Sequence, residues 1–247
     1  MKESLYISVA ALIVSVATAV YCFSGGCAHK AAPVAASVNK AELRAALVAE
    51  PEMVVSALQK YEEVQREAQL REASRLFQEN IEQLNNNANT PYVGPKDAKI
   101  VLVEFFDFSC GYCKRLAPAM EEIIKKNPDV KVVFKPITFV AQISKYAAQA
   151  ALAAHEQGKF LEMYSVMLGS EARLTEEIIN NMAEKAGLDM TKFKEDVSSA
   201  KVESIIKEVS DLSNVLQVRG VPALVLNGTQ IQVIDEAGIQ TEINRLR

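Results

Sequence analysis

One stretch constrains the fold of this chain more than any other. Residues 99–106 (KIVLVEFF) are almost continuously apolar and end just before Cys110-Gly111-Tyr112-Cys113. A strand whose side chains do not alternate between apolar and polar is buried on both faces, as in a parallel sheet. Residues 114–126 follow with a helical period that turns Leu116, Met120, Ile123 and Ile124 inward. Asn127-Pro128-Asp129 ends that helix, and residues 130–134 form the next apolar run. Strand, helix and strand at this crossover length predict a parallel pair and an α/β fold. Residues 142–216 read as several helices: an Ala-rich one over 144–157, another over 160–168, and more from Thr175, with breaks at Gly169, Gly187 and Asp189. Arg219-Gly220-Val221-Pro222 leads into two short strands, 223–226 and 230–234, joined by the hairpin dipeptide Asn227-Gly228. A last helix is predicted over 236–246.

The N-terminal third has a different character. Residues 5–23 carry no charge. That length lies between a signal-peptide apolar region of ~7–15 residues and a spanning helix of ~20. Ala17-Thr18-Ala19 and Val34-Ala35-Ala36 offer cleavage sites, and Ser24-Gly25-Gly26-Cys27 resembles a bacterial lipobox, which makes Cys27 a lipidation candidate. Lipid anchor, cleaved signal and uncleaved anchor stay open; each exports the body of the protein, so residues 1–37 are set apart from the fold. Asn39 and Glu42 form a plausible capping pair before Leu43 and Leu47. Pro51 interrupts, and a long helix follows whose apolar positions Val54, Leu58, Tyr61 and Val64, then Leu70, Ala73, Phe77, Ile81 and Leu84, fall at spacings of three and four. About 30 residues at ~1.5 Å each make a rod near 45 Å, more than a small domain needs. The stripe therefore points to pairing with the same helix of another subunit, and residues 85–91 (NNNANTP) read as a detachable linker.

The body of the chain holds two cysteines, Cys110 and Cys113, and one histidine, His155. A zinc site needs two more ligands than this pair supplies, and no metal is expected. A disulfide closing so short a ring stabilises little. Redox chemistry is the reading that remains. The first sulfur stands at a helix N-terminus, where free N–H groups and the helix dipole favour an anion. That effect of ~0.3–1 kcal/mol, rarely ~2, is worth roughly one unit on a thiol pKa. Lys114 and Arg115, unfavourable for the dipole in a first helical turn, favour a thiolate at Cys110. His155, on its Ala-rich helix, reads as a surface or packing residue. A net charge of −4 argues against a phosphate-driven nucleic-acid partner, and no nucleotide or flavin motif is present.

The stretch VEFFDFSCGYCK resembles the active-site segment of thioredoxin-fold oxidoreductases, most closely the DsbA-like family exported by bacteria. GVPALVLNG resembles that family's cis-proline loop, and the helical block over about 142–216 is similar to its helical insertion. The phrase Ala49-Glu50-Pro51-Glu52 resembles the oligomerisation extension of a DsbA-like subgroup that forms dimers or trimers. The resemblance implies a thioredoxin fold over 92–247, preceded by a helical oligomerisation segment over 38–88. It makes Cys110 the exposed nucleophile and Cys113 the resolving thiol. Pro222 becomes the cis-proline facing them, and the Val221 backbone the partner of an extended substrate. Glu104 matches the buried acid of this fold; such a carboxyl has a raised pKa and shuttles the proton of Cys113. Gly111-Tyr112 replaces the His-containing dipeptide of DsbA and is the pair found in the DsbC-type isomerases, so the protein is expected to be the weaker oxidant.

The implied activity is disulfide formation or isomerisation in secreted proteins, in the periplasm or cell envelope and tethered to a membrane. Its partners are unfolded or misfolded substrates, a membrane redox partner, and further copies of itself through residues 39–84. No cofactor is implied. A monomeric oxidase recharged at the membrane is one alternative; a surface chaperone or adhesion protein with a structural disulfide is another.

Overall fold

The computed structural model describes residues 39–247, so the expectations for the leader and Cys27 lie outside the described residues. Helix α1 spans Lys40–Ala49. Its first turn is capped by Asn39, whose Oδ1 accepts from the Ala41 N–H at 3.0 Å. Helix α2 spans Pro51–Glu79. Pro51 opens it rather than merely interrupting, since the first helical position has no N–H bond to lose. The long helix predicted through Leu84 breaks one turn earlier, at Asn80, whose Nδ2 folds back on the Leu76 carbonyl at 2.9 Å. A short helix α3, Ile81–Asn85, follows.

Two compact units divide inside α2, at Tyr61 and Glu62. In the first, the described residues are α1 and the start of α2, with Leu47, Val48, Met53, Val54, Val55, Leu58 and Tyr61 exposed.

The second unit, Glu62–Arg247, is built on a five-stranded sheet in the order β1-β3-β2-β4-β5. Its strands are β1 (Tyr92–Val93), β2 (Ile100–Phe106), β3 (Val130–Pro136), β4 (Ala223–Leu226) and β5 (Thr229–Ile231). The parallel pairing predicted for the two apolar runs is present, with Glu104 opposite Phe134. Strand β4 lies antiparallel on the other side of β2, which puts Leu224 opposite Glu104. At the β4–β5 turn, Asn227 and Gly228 adopt φ of +46° and +76°. Both central residues of a type I′ turn need that left-handed conformation. The Asn227 side chain ties the turn to β2, accepting from the Val101 N–H at 2.8 Å.

Helix α4 (Gly111–Lys126) crosses from β2 to β3. Five insertion helices follow β3: α5 (Ser144–His155), α6 (Phe160–Leu168), α7 (Glu176–Lys185), α8 (Met190–Val197) and α9 (Ala200–Val215). Helix α10 (Glu236–Asn244) ends the chain. Side-chain oxygens of Thr175, Asp189, Ser199 and Asp235 cap α7 to α10 and hold the breaks where they fall.

The two faces of β2 enter two cores. Leu102 and Phe106 pack with α4, α5 and α6, and Cys113 belongs to that cluster. Val101, Val103 and Phe105 pack with α9 and with Phe77 and Leu84. The helical segment expected to stand apart through residue 88 therefore contributes core residues to the second unit. Nor does the segment at 85–91 hang free. Two lysines that β3 carries into the interior grip it: Lys131 Nζ donates to Asn86 Oδ1, and Lys135 Nζ donates to the Gln83 carbonyl and Thr90 Oγ1, all at 3.0 Å. Burial lowers Lys135 to a pKa of about 8.

Candidate active site

Strand β2 delivers the loop that carries Cys110 and Cys113, and the loop is braced before the cysteines begin. Asp107 is fully enclosed. Its Oδ1 accepts from the Ser109 N–H at 2.8 Å and from Ser144 Oγ at 2.7 Å, while Oδ2 accepts from the Val140 N–H at 3.0 Å. Its carbonyl accepts from the Cys110 N–H at 2.9 Å. One buried carboxylate thus fixes the turn into α4, the loop after β3 and the start of α5. Buried acids persist when their lone pairs are filled, and here three donors fill them.

Cys110 is the N-cap residue of α4, with extended backbone. It is 8% exposed, and Sγ donates to the Val221 carbonyl at 3.4 Å. The Val221–Pro222 peptide is cis. Cys113, in the first turn of α4, is completely enclosed, and both cysteines are free thiols. Burial is the main cause that pushes the Cys113 thiol far above its usual range; a hydrogen bond from the Asp107 backbone pulls back, while Cys110 and Glu104 push further. The pair is therefore asymmetric only in degree: Cys110, expected to be exposed, is largely covered at the helix start, and Cys113 is sealed behind it.

Glu104 lies on the Cys113 face of β2 and is fully buried. Burial raises its carboxyl to a pKa of about 8, against the opposing hydrogen bond from Tyr164. The Tyr164 hydroxyl donates to Oε2 at 2.9 Å, and Oε1 has no hydrogen-bond partner.

The surroundings differ from expectation at two cations. Lys114 Nζ donates to the Ser170 carbonyl at 2.7 Å, and the Arg115 guanidinium lies 4.1 Å above the Tyr112 ring. Each is occupied by a partner other than the Cys110 sulfur. Tyr112 is 60% exposed beside the cysteines. Gly111 has room for a side chain, since an added Cβ would meet only Arg115 Nη1 at 3.8 Å. His155 sits edge-on to Phe160 with ring centroids 6.3 Å apart, as a packing residue. Beside the cysteine loop, a cleft of about 590 Å³ is lined by Ser109, Lys114, Tyr146, Arg173 and Glu176 among others. Among the described residues, no three His, Cys, Asp or Glu side chains are grouped to hold a metal.

Residues 101–242 match the DsbA-like thioredoxin domain. The chain belongs to the DsbA-like family. Its domain is that of the DsbA-like thiol–disulfide oxidoreductases. The Na(+)/H(+) antiporter NhaA 3 of Salinispora tropica is 33% identical over 137 residues, which are 55% of this chain and 21% of that protein. The probable disulfide bond formation protein D of Bacillus anthracis is 28% identical over 149 residues, 55% of this chain and 69% of that protein. The chain thus spans about a fifth of the first relative's length. Among solved structures, BcfH of Salmonella enterica Typhimurium superposes with a TM-score of 0.70 at 25% identity, covering 83% of this chain and 92% of that one.

The DsbA-like fold brings Cys110, Cys113, Glu104, Val221 and Pro222 together around one end of β2. Asp107 and Tyr164 were not anticipated. Asp107 had a sequence signal, an acid at the end of an apolar strand three residues before the first cysteine. Tyr164 had none, because its helix reads as ordinary core.

Proposed function

We propose that this protein is an exported thiol–disulfide oxidoreductase that forms and rearranges disulfides in unfolded or misfolded secreted proteins. The observation that carries the reading is the asymmetry of the cysteine pair, with Cys110 Sγ 3.4 Å from the Val221 carbonyl and Cys113 sealed. In the oxidising direction, a substrate thiolate attacks Cys110 of the Cys110–Cys113 disulfide, and Cys113 leaves with the electron pair. A second substrate thiolate then attacks the mixed disulfide, releasing the oxidised substrate and Cys110. Isomerisation starts from the reduced pair, with Cys110 as the attacking thiolate. The main chain at Val221, beside Pro222, is the group an extended substrate would meet first, with Gly111 and Tyr112 at the rim.

The exposed apolar side chains Val54, Leu58 and Tyr61, which share one face of α2, support self-association into a dimer or trimer. Such an oligomer holds several redox sites around a shared substrate, which favours isomerisation. Residues 1–37 would export the protein and tether it at the cell envelope, with Cys27 the lipidation candidate and a membrane protein the redox partner. Among the described residues, no helix is long and apolar enough to cross a membrane.

The test is reactivation of a scrambled-disulfide protein by the chain from residue 38 and by a version from residue 62. A start at Asn89 is unsuitable, because it removes Phe77 and Leu84 from the core. Reactivation by the long form alone supports an oligomeric isomerase. Oxidation of a dithiol peptide by both forms, with reactivation by neither, supports the monomeric oxidase. Failure of both in both assays refutes the enzymatic reading.

A further inference from the structure

We infer that Tyr164 is a positioning residue for the redox step: its hydroxyl holds Oε2 of Glu104, leaving Oε1 to exchange the proton with Cys113. The inference rests on the proposed oxidoreductase activity. Tyr164 comes from α6 in the helical insertion, sixty positions along the chain from Glu104. Its ring is fixed by aromatic neighbours, with Phe106 edge-on at 5.2 Å, Phe134 at 5.0 Å and Phe160 at 6.2 Å between centroids. A side chain so enclosed has one rotamer, so the hydroxyl points one way. It donates to Oε2 at 2.9 Å, and nothing satisfies Oε1. A buried, unpartnered oxygen calls for an explanation. Here the explanation is that Oε1 carries the mobile proton.

The chemistry of the phenol fits. Burial first, and the charge of Glu104 next, raise Tyr164 well above the usual range of a phenol. It therefore stays protonated and acts only as a donor. The other titratable groups facing the pair are Cys113 on α4 and, toward Tyr164, Glu121 of the same helix; Cys110 acts on Cys113 alone. The strand neighbours of Glu104, Phe134 and Leu224, bring no charge.

When a substrate thiolate attacks Cys110 Sγ, the bond to Cys113 Sγ breaks and the electron pair stays on Cys113. The proton on Glu104 Oε1 passes to that sulfur, and the carboxylate left behind keeps the Tyr164 hydrogen bond. In reverse, Cys113 gives its proton to Oε1 as it attacks the mixed disulfide at Cys110. The Tyr164 bond is stronger to the carboxylate than to the acid, so it sets the pH at which Glu104 can act as the base.

The experiment follows resolution of a Cys110–glutathione mixed disulfide by Cys113, across pH, in the full chain. The wild-type profile inflects near pH 8, where Glu104 titrates. Tyr164→Phe keeps the ring and moves the inflection upward by about one unit or more. Glu104→Gln abolishes the inflection, and adding Tyr164→Phe then changes the profile no further. A ring-fluorinated tyrosine placed at position 164 is a better donor with the same packing, and it moves the inflection downward even where Tyr164→Phe fails to fold. A Tyr164→Phe profile that superimposes on the wild type overturns the inference, as does a fluorinated tyrosine that leaves the inflection in place. Absence of any exchange in the wild type overturns the oxidoreductase reading instead, and this inference with it.

Discussion

Replacing Glu104 with glutamine should make this protein more stable as the pH rises. The carboxyl is completely enclosed and titrates at about 8 in the folded state, against 4.5 for an ordinary glutamate. The folded chain thus binds this proton more tightly than the unfolded chain does. The stability from that proton is full below pH 4.5 and is lost as pH rises to 8. A difference of about 3.5 units corresponds to about 5 kcal/mol, of which about 4 kcal/mol is lost between pH 5 and pH 9. Glutamine still accepts from Tyr164 and carries no charge, but its amide group leaves a buried donor that costs about 1–3 kcal/mol at every pH. Glu104→Gln should therefore be no more stable than wild type at pH 5 and gain about 4 kcal/mol on it by pH 9. Urea unfolding of the reduced proteins at pH 5, 7 and 9 measures the difference, with equal slopes as the control for a common unfolded state. A stability difference that stays constant across this range would refute the assignment of Glu104 as a buried, proton-holding acid.

Three further outcomes follow from the packing and the bracing of the loop. Phe77→Ala should cost about 3–5 kcal/mol in the same unfolding assay, because the side chain fills the core behind β2; a loss below 1 kcal/mol would mean that α2 does not dock there. Asp107→Ala strips the acceptor from Ser109, Ser144 and Val140. It should cost about 3 kcal/mol and speed hydrogen exchange at the Ser109 and Val140 amides. Leu58→Lys, on the exposed face of α2, should shift sedimentation toward a monomer and leave thermal unfolding of the catalytic unit unchanged.

The part of the fold legible in the sequence is the part fixed by local pattern. The run ending at Phe106 has no alternation because both its faces are covered, and its neighbours β3 and β4 follow from the crossover helix and from Asn227-Gly228. Periodicity reads which face of a helix is apolar but not what covers it. The runs Val54 to Val64 and Leu70 to Leu84 both show helical spacing, yet Val54 and Leu58 are exposed while Phe77 and Leu84 lie in the core. The boundary was misplaced for that reason. Lys131 and Lys135 hid the grip on residues 85–91, since a strand lysine reads as solvent-facing until a chain segment covers it. The cysteines and Glu104 were legible because they sit in one short stretch. Tyr164 was not, because a phenol on a core helix carries no sign of the carboxyl it meets in space.

The central claim is that Cys110 is the attacking sulfur and Cys113 resolves. Trapping tests it most directly: Cys113→Ala and Cys110→Ala are each exposed to a disulfide-containing substrate, and covalent complexes are mapped by peptide mass spectrometry. The account predicts an accumulating mixed disulfide at Cys110 in Cys113→Ala and none in Cys110→Ala. A complex formed through Cys113, or equal trapping by both variants, would contradict it.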